Sequence, residues 1–424
     1  MMTRSSWGLA RHAPRMWIAV PLALLLLAPA HAVAGDWPQF RGPARDAKST
    51  DTELLQEWPE NGPELLWTKT GLGAGYTQAI VVDGTVYVTG SIENEGYVHA
   101  FDLDGTPLWR ESYGPVFAGM RRGYAGARSA PTVSGGRLYV AGSGGQVVCL
   151  EAKSGKRVWS VDFFGKFGVT QHRFGFSESV LVDGDNVLLT TGGKTLMVAL
   201  HRNTGEVVWT TDGIGDASSY CSPMIVERGG TRQIVTISSA HVVGIDARTG
   251  VLIWKQPFSG GSRSNHATTP VYADGLLFCS AGYGKGSEIL KLAEDGTSVT
   301  PLHTLKKPDN HHGNLVLVDG HVYGAGHQNA GQWVCVELAT GEIKWEAKGV
   351  GKGSVSFADD LLYCYGERDG RVALVRPSSK GYEEISTFTV SAGSGEHWAH
   401  PTIAGGRLYI RHGDALMAYD VKAR

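Results

Sequence analysis

Eight short stretches of this chain combine the side chains that bind ligands or move protons. They read Gly75-Tyr76-Thr77-Gln78, Tyr124-Ala125-Gly126-Ala127-Arg128-Ser129, Gln171-His172-Arg173-Phe174-Gly175-Phe176-Ser177-Glu178 and Ser219-Tyr220-Cys221-Ser222. The others are Arg263-Ser264-Asn265-His266, Asp309-Asn310-His311-His312-Gly313-Asn314, Lys352-Gly353-Ser354 and Glu396-His397-Trp398-Ala399-His400. Imidazole exchanges protons near neutral pH and ligates transition metals, whereas Arg and Asn hold carboxylates and amides. Three uses fit these groups. One is a hydrated polar funnel whose side chains cap strand ends. Another is a small-molecule or peptide site drawn from Gln78, Arg128, His172, Arg173, Glu178, Tyr220, Asn265, His266, His312, His397 and Trp398. The third is a metal site, for which no ligand set is assigned, because no HxH or HxxxH pair falls on a regular element. His311 and His312 would face opposite sides if extended, so one alone could ligate. Glu178 near His172 or Arg173 is the acid–base candidate, with an ordinary ion pair as its other reading. No catalytic residue is assigned, and no GxSxG elbow supports serine catalysis.

What could bring eight distant stretches together is a repeat. An apolar residue, a polar pair and Gly precede Trp by four residues in Cys149…Gly155…Trp159, Ala199…Gly205…Trp209, Gly244…Gly250…Trp254 and Cys335…Gly341…Trp345, with a shorter form at Ala100…Gly105…Trp109. The 91 residues between Trp254 and Trp345 fit two repeats with one Trp lost near Leu302. Before each motif stands an apolar segment, an Asp-Gly-like turn and a strand such as Val86-Tyr87-Val88; Gly supplies the positive φ that a two-residue hairpin needs. A period of about 46 residues with about four short strands is a propeller blade. Eight blades are expected, or seven if one weak unit is miscounted. The last unit stops where its outer strand should begin, and Leu65-Leu66-Trp67-Thr68 can supply that strand, closing the ring from both termini. Trp67, Trp109, Trp159, Trp209, Trp254 and Trp345 are expected to dock between neighbouring blades. Residues 35–64 then form an arm over the outside, with Pro38, Pro43, Pro59 and Pro63 opposing helix.

Bulk properties agree with one all-β body. The chain has 58 Gly in 424 residues and a formal net charge of −2, and no basic run interleaved with aromatics suggests nucleic acid. Arg4, Arg11 and Arg15 precede an apolar stretch from Met16 to Ala30, followed by Ala32-Val33-Ala34. This pattern predicts a signal peptide over residues 1–34, a mature propeller over 65–424, and a periplasmic or secreted monomer with no later transmembrane segment. The cysteines are 149, 221, 279, 335 and 364: an odd count, four of them inside apolar strand patterns, which reads as buried hydrophobes rather than a disulfide framework.

The blade motifs resemble the pyrroloquinoline-quinone (PQQ) repeat of quinoprotein alcohol dehydrogenases and of the propeller that helps assemble outer-membrane barrels. Asp36-Trp37-Pro38-Gln39-Phe40-Arg41-Gly42-Pro43 looks like the opening of exported bacterial PQQ-like propellers. As an enzyme, such a protein would use PQQ and calcium on alcohols or sugars, with adjacent cysteines, a Trp floor, carboxylate and Asn calcium ligands and an Asp base. No Cys-Cys pair occurs here, and that set cannot be placed residue by residue, so no cofactor is assigned. The resemblance therefore favours a non-catalytic scaffold or ligand-binding module, with envelope proteins or a small molecule at the channel mouth as partners.

Overall fold

The computed structural model describes residues 1–2, 35–117, 126–169, 173–258, 265–328 and 331–424. The expected signal peptide, apart from Met1 and Met2, lies outside these residues, as does His172. Over the described residues from Gly35 onward the chain is an eight-bladed β-propeller of four-stranded antiparallel sheets. Blade 1 shows the pattern: Ile80–Val82, Thr85–Ile92, Glu95–Asp102 and Pro107–Pro115, from the channel outward. The turns follow from their residues. Asp83-Gly84, Asp274-Gly275 and Asp319-Gly320 all have positive φ at both positions, as a tight hairpin requires. In blade 8 the strand Glu64–Lys69 pairs antiparallel with Ala415–Asp420 and completes the sheet begun by Thr402–Ala404 and Arg407–His412. One element was not legible in advance: a single helical turn, Phe163–Phe167, N-capped by Asp162.

Blade interfaces are stapled on the outside by tryptophan. The indoles of Trp67, Trp109, Trp159 and Trp345 donate to the carbonyls of Leu103, Ala152, Arg202 and Ser378 in the following blade. Trp254 reaches Gly296 through Gln233, whose amide accepts at 2.6 Å and donates at 3.0 Å. Gly205 shows why the motif needs glycine. Its φ is +73°, and a Cβ there would stand 2.9 Å from the Trp159 ring. Where Trp is missing in blade 5, His303 lies against Gly341. In blade 7 the arm supplies Trp58, packed edge-on against Phe388 at 5.1 Å.

Hydroxyl and amide side chains close the ring on the inside. Thr132 bonds the Val180 carbonyl, the Ser179 amide donates to Ser222, Thr269 bonds Ser222 and Asn314, Ser356 bonds Pro401, and Thr402 bonds Ala79. These bonds link blade 2 to 3, 3 to 4, 4 to 5, 5 to 6, 7 to 8 and 8 to 1. All five cysteines are free and buried, Cys221 included, although it sits in a loop.

The arm departs from expectation. Residues 37–49 do not lie outside; they cross the channel. Trp37 bridges to Val81 of blade 1, the Val133 amide bonds Pro38, and Ala47 and Ser49 bond Phe357 of blade 7. Arg41 donates to the Leu315 carbonyl of blade 6 at 2.8 Å, and its own amide donates to Gln78 at 2.9 Å. Arg45 donates to Ser179, Val180 and Pro223 in blades 3 and 4, and to Gln39. The physical reason is donor geometry. Carbonyls around the channel need donors, and a guanidinium fork offers five. Arg41, Arg45 and Ala47 hold positive φ (66°, 57° and 65°), a conformation that persists only where surrounding contacts over-determine it. Beyond Asp51 the arm runs under blades 7 and 8, where Leu54 bonds Asp359 and Leu55 bonds Val421.

Candidate functional site

The loops leading into the innermost strands share one end of the channel with the turns between the second and third strands, because the strands alternate in direction. With the arm across the channel beneath them, they enclose a cavity of about 440 Å³ with Phe40 in its lining. All eight approach loops contribute: Tyr76 and Gln78, Arg128, Arg173 and Phe174, Tyr220, Asn265, His311 and His312, Lys352, Trp398 and His400. Tyr283, His327 and Glu367 come from second-to-third-strand turns of blades 5, 6 and 7.

Aromatic and cationic groups form a near-continuous wall. Arg128 lies over the rings of Tyr76 (5.1 Å) and Phe174 (5.7 Å), and Arg173 over Phe174 (5.4 Å). Tyr76 packs on Trp398 at 4.8 Å, Trp398 on His312 at 5.2 Å, His312 on His311 at 4.5 Å and His311 on His327 at 4.6 Å. Asp309 positions this corner. Its carboxylate accepts from the amides of Gly284, His327 and Gln328, tying together the turns that carry Tyr283 and His327. Asn310 donates to the Asn314 and Ala325 carbonyls and so bends the loop. This bend overturns the expectation for His311 and His312. The segment is not extended, and both rings line the cavity.

Electrostatics leave the imidazoles neutral. Burial pulls His311 and His312 well below the usual histidine range, with Lys352 adding to it, and burial takes His400 down to about 4. Lys352 donates to His311 Nδ1 at 3.1 Å and pairs with Glu367 at 2.8 Å. His400 Nε2 lies 2.8 Å from the His312 carbonyl and must carry the proton, since that oxygen only accepts.

Three expected site residues point elsewhere, and chain alternation explains all three. Ser177 and Ser179 line the cavity, so Glu178 between them faces away; it is buried, accepts from the Thr190 amide and feels the Arg45 charge rather than Arg173. Asn265 and Ala267 line it, so His266 turns to the Ser239 carbonyl and the Phe258 ring. Trp398 and His400 line it, so His397 stacks on His412 at 3.6 Å and bonds Tyr365. Gln78 does line the cavity, yet its amide is occupied by Arg41 and Pro401. Sequence reading missed Phe40, Tyr283, His327 and Glu367.

Stability should carry two opposite pH limbs. Buried His99, His266 and His400 have pKa values lowered from 6.5 to about 4, so the unfolded chain binds more protons. Their contribution is full above pH 6.5 and is lost as pH falls from there through about 4. Burial raises Glu178 from 4.5 to about 8, so its contribution is full below pH 4.5 and is lost as pH rises through about 8. Urea midpoints across pH 4 to 10 should fall on both sides of neutrality, and Glu178→Gln should flatten the fall between pH 6.5 and about 8 while steepening the acid limb, over which Glu178 otherwise offsets the histidines.

The donor set that a PQQ–calcium site would need is not matched here. Glu367 is the one carboxylate lining the cavity among the described residues, and it is paired with Lys352. Among the described residues no cysteine lines the cavity, and no group of three or more His, Cys, Asp or Glu could hold a metal.

Comparison with known proteins places this geometry. The chain is 30% identical over 168 residues to a quinoprotein ethanol dehydrogenase of Pseudomonas aeruginosa, covering 37% of this chain but 26% of that protein, about a quarter of its length. It is 25% identical over 286 residues to the outer membrane protein assembly factor BamB of Yersinia pestis, covering 63% of this chain and 67% of that one. The fold superposes with a TM-score of 0.66 on the quinohemoprotein alcohol dehydrogenase of Comamonas testosteroni at 14% identity, covering 93% and 82% of the two chains. The profile described as outer membrane protein assembly factor BamB matches residues 94–347, more than half of the 424. With eight blades of the expected repeat around its plugged channel, this chain belongs to that family.

Proposed function

We propose that this protein is an exported, non-catalytic propeller of the cell envelope that binds a ligand or the end of a partner chain in the blind funnel at its loop-bearing mouth. One observation carries the reading: residues 37–49 cross the channel and bond inner strands of opposite blades, so the mouth leads into a pocket rather than a pore. A pocket of about 440 Å³, lined by aromatic rings, imidazoles and comparable numbers of other polar side chains, has the size of a binding site. Among the described residues the lining carboxylate is paired with Lys352 and Glu178 faces away, which supports binding over acid–base chemistry as the reading. Export is supported by the Arg-rich, apolar and Ala-Val-Ala succession of residues 4–34, and an envelope setting by the BamB relatives.

The competing reading, a PQQ-dependent oxidoreductase on alcohols or sugars, draws on the dehydrogenase relatives. Ligand-observed NMR with a mixture of small carboxylates, amines and sugars separates the two. Hits should appear in wild type and be lost in Trp398→Ala, and protein incubated with PQQ and calcium should not reduce an artificial electron acceptor when given ethanol or glucose. Cofactor-dependent turnover, or hits indifferent to Trp398→Ala, would refute the binding-funnel reading.

A further inference from the structure

We propose that the funnel takes the end of an acidic saccharide, its anionic group at the exposed Arg173 and its hydroxyls at the imidazole corner; this rests on the binding-funnel reading. The funnel has two chemically different sides. On one, two guanidiniums stand over aromatic faces, with Arg173 exposed at the rim and no carboxylate lining that side among the described residues. A planar cation held on an aromatic face presents its edge N–H groups to a carboxylate or sulfate.

The opposite side is built for groups that both donate and accept. His327 Nδ1 and His400 Nδ1 are buried and have no hydrogen-bond partner, and His312 Nε2, also without a hydrogen bond, lies 3.7 Å from the Glu367 carboxylate. Since His400 Nε2 carries its proton toward the His312 carbonyl, Nδ1 is left as a bare acceptor. A carboxylate oxygen only accepts and leaves that lone pair unsatisfied. A sugar hydroxyl satisfies it. Between the two sides, Tyr76 and Trp398, packed at 4.8 Å, line the cavity and give the sugar an apolar surface. The blind floor admits a chain end and does not let a chain thread through.

Calorimetric titration of the full protein with trigalacturonate, a sulfated disaccharide, cellobiose and benzoate tests this. Trigalacturonate or the sulfated sugar should bind at least tenfold more tightly than cellobiose, the preferred one telling carboxylate from sulfate. Arg173→Ala should erase that preference, while His327→Ala should weaken acidic and neutral sugars alike by about tenfold. Thermal unfolding of both variants should match wild type. Equal binding of acidic and neutral sugars overturns the proposal. Benzoate binding lost in Trp398→Ala, without sugar binding, overturns it too while leaving the funnel reading intact. Silence from every probe, together with the absence of Trp398-dependent NMR hits, removes both.

Discussion

Arg45→Ala should lower the free energy of unfolding by about 3–5 kcal/mol, the cost of opening a buried, hydrogen-bonded ionic site. The guanidinium donates to the carbonyls of Ser179, Val180 and Pro223 and to the Gln39 side chain, with no solvent to replace it. Alanine leaves those oxygens unpaired and withdraws the positive charge that favours ionised Glu178, whose carboxyl then rises further. Arg45→Lys keeps the charge but has one nitrogen for four acceptors, so it should recover only part of the loss. Chemical denaturation read by tryptophan fluorescence measures both variants. A loss under about 1 kcal/mol for Arg45→Ala, the range of an exposed ion pair, would mean that the arm is not anchored in the channel.

Deleting Glu64–Lys69 should abolish cooperative folding. Without that strand the Ala415–Asp420 edge has free amides and carbonyls, and the gap between blades 8 and 1 loses the Trp67 indole that bonds Leu103. Trp67→Ala alone should cost about 3 kcal/mol, the low end for a core tryptophan because the ring is partly exposed. Calorimetry and limited proteolysis report the outcome. A deletion variant that keeps wild-type thermal stability would disprove closure by that strand.

The blades were legible because their signals are local. A turn glycine and a tryptophan four residues later sit in one hairpin, and the Asp-Gly turns are set by their own φ preferences. The arm was not, because the blade carbonyls that the Arg41 and Arg45 guanidiniums reach lie 134 to 274 residues away in sequence and nothing near either Arg announces them. The funnel was half legible. Polar residues of the approach loops were chosen without regard to alternation, which along an extended segment turns Glu178, His266 and His397 away from neighbours that face the cavity. Applying that period would have removed all three. Tyr283, His327 and Glu367 were also within reach, since antiparallel blades place alternate turns on the same face. The bend that gathers His311 with His312 depends on Asn310 reaching Ala325, which no local rule supplies.

The channel-crossing segment also fixes an order of events. It precedes every blade in the chain, yet its seat exists only after strands as distant as Thr402–Ala404 are in place, Ser49 bonding Ile403 across 354 residues. So its last bonds form only when the ring is complete, like a bolt thrown once the hoop is closed. Contacts of such span slow folding.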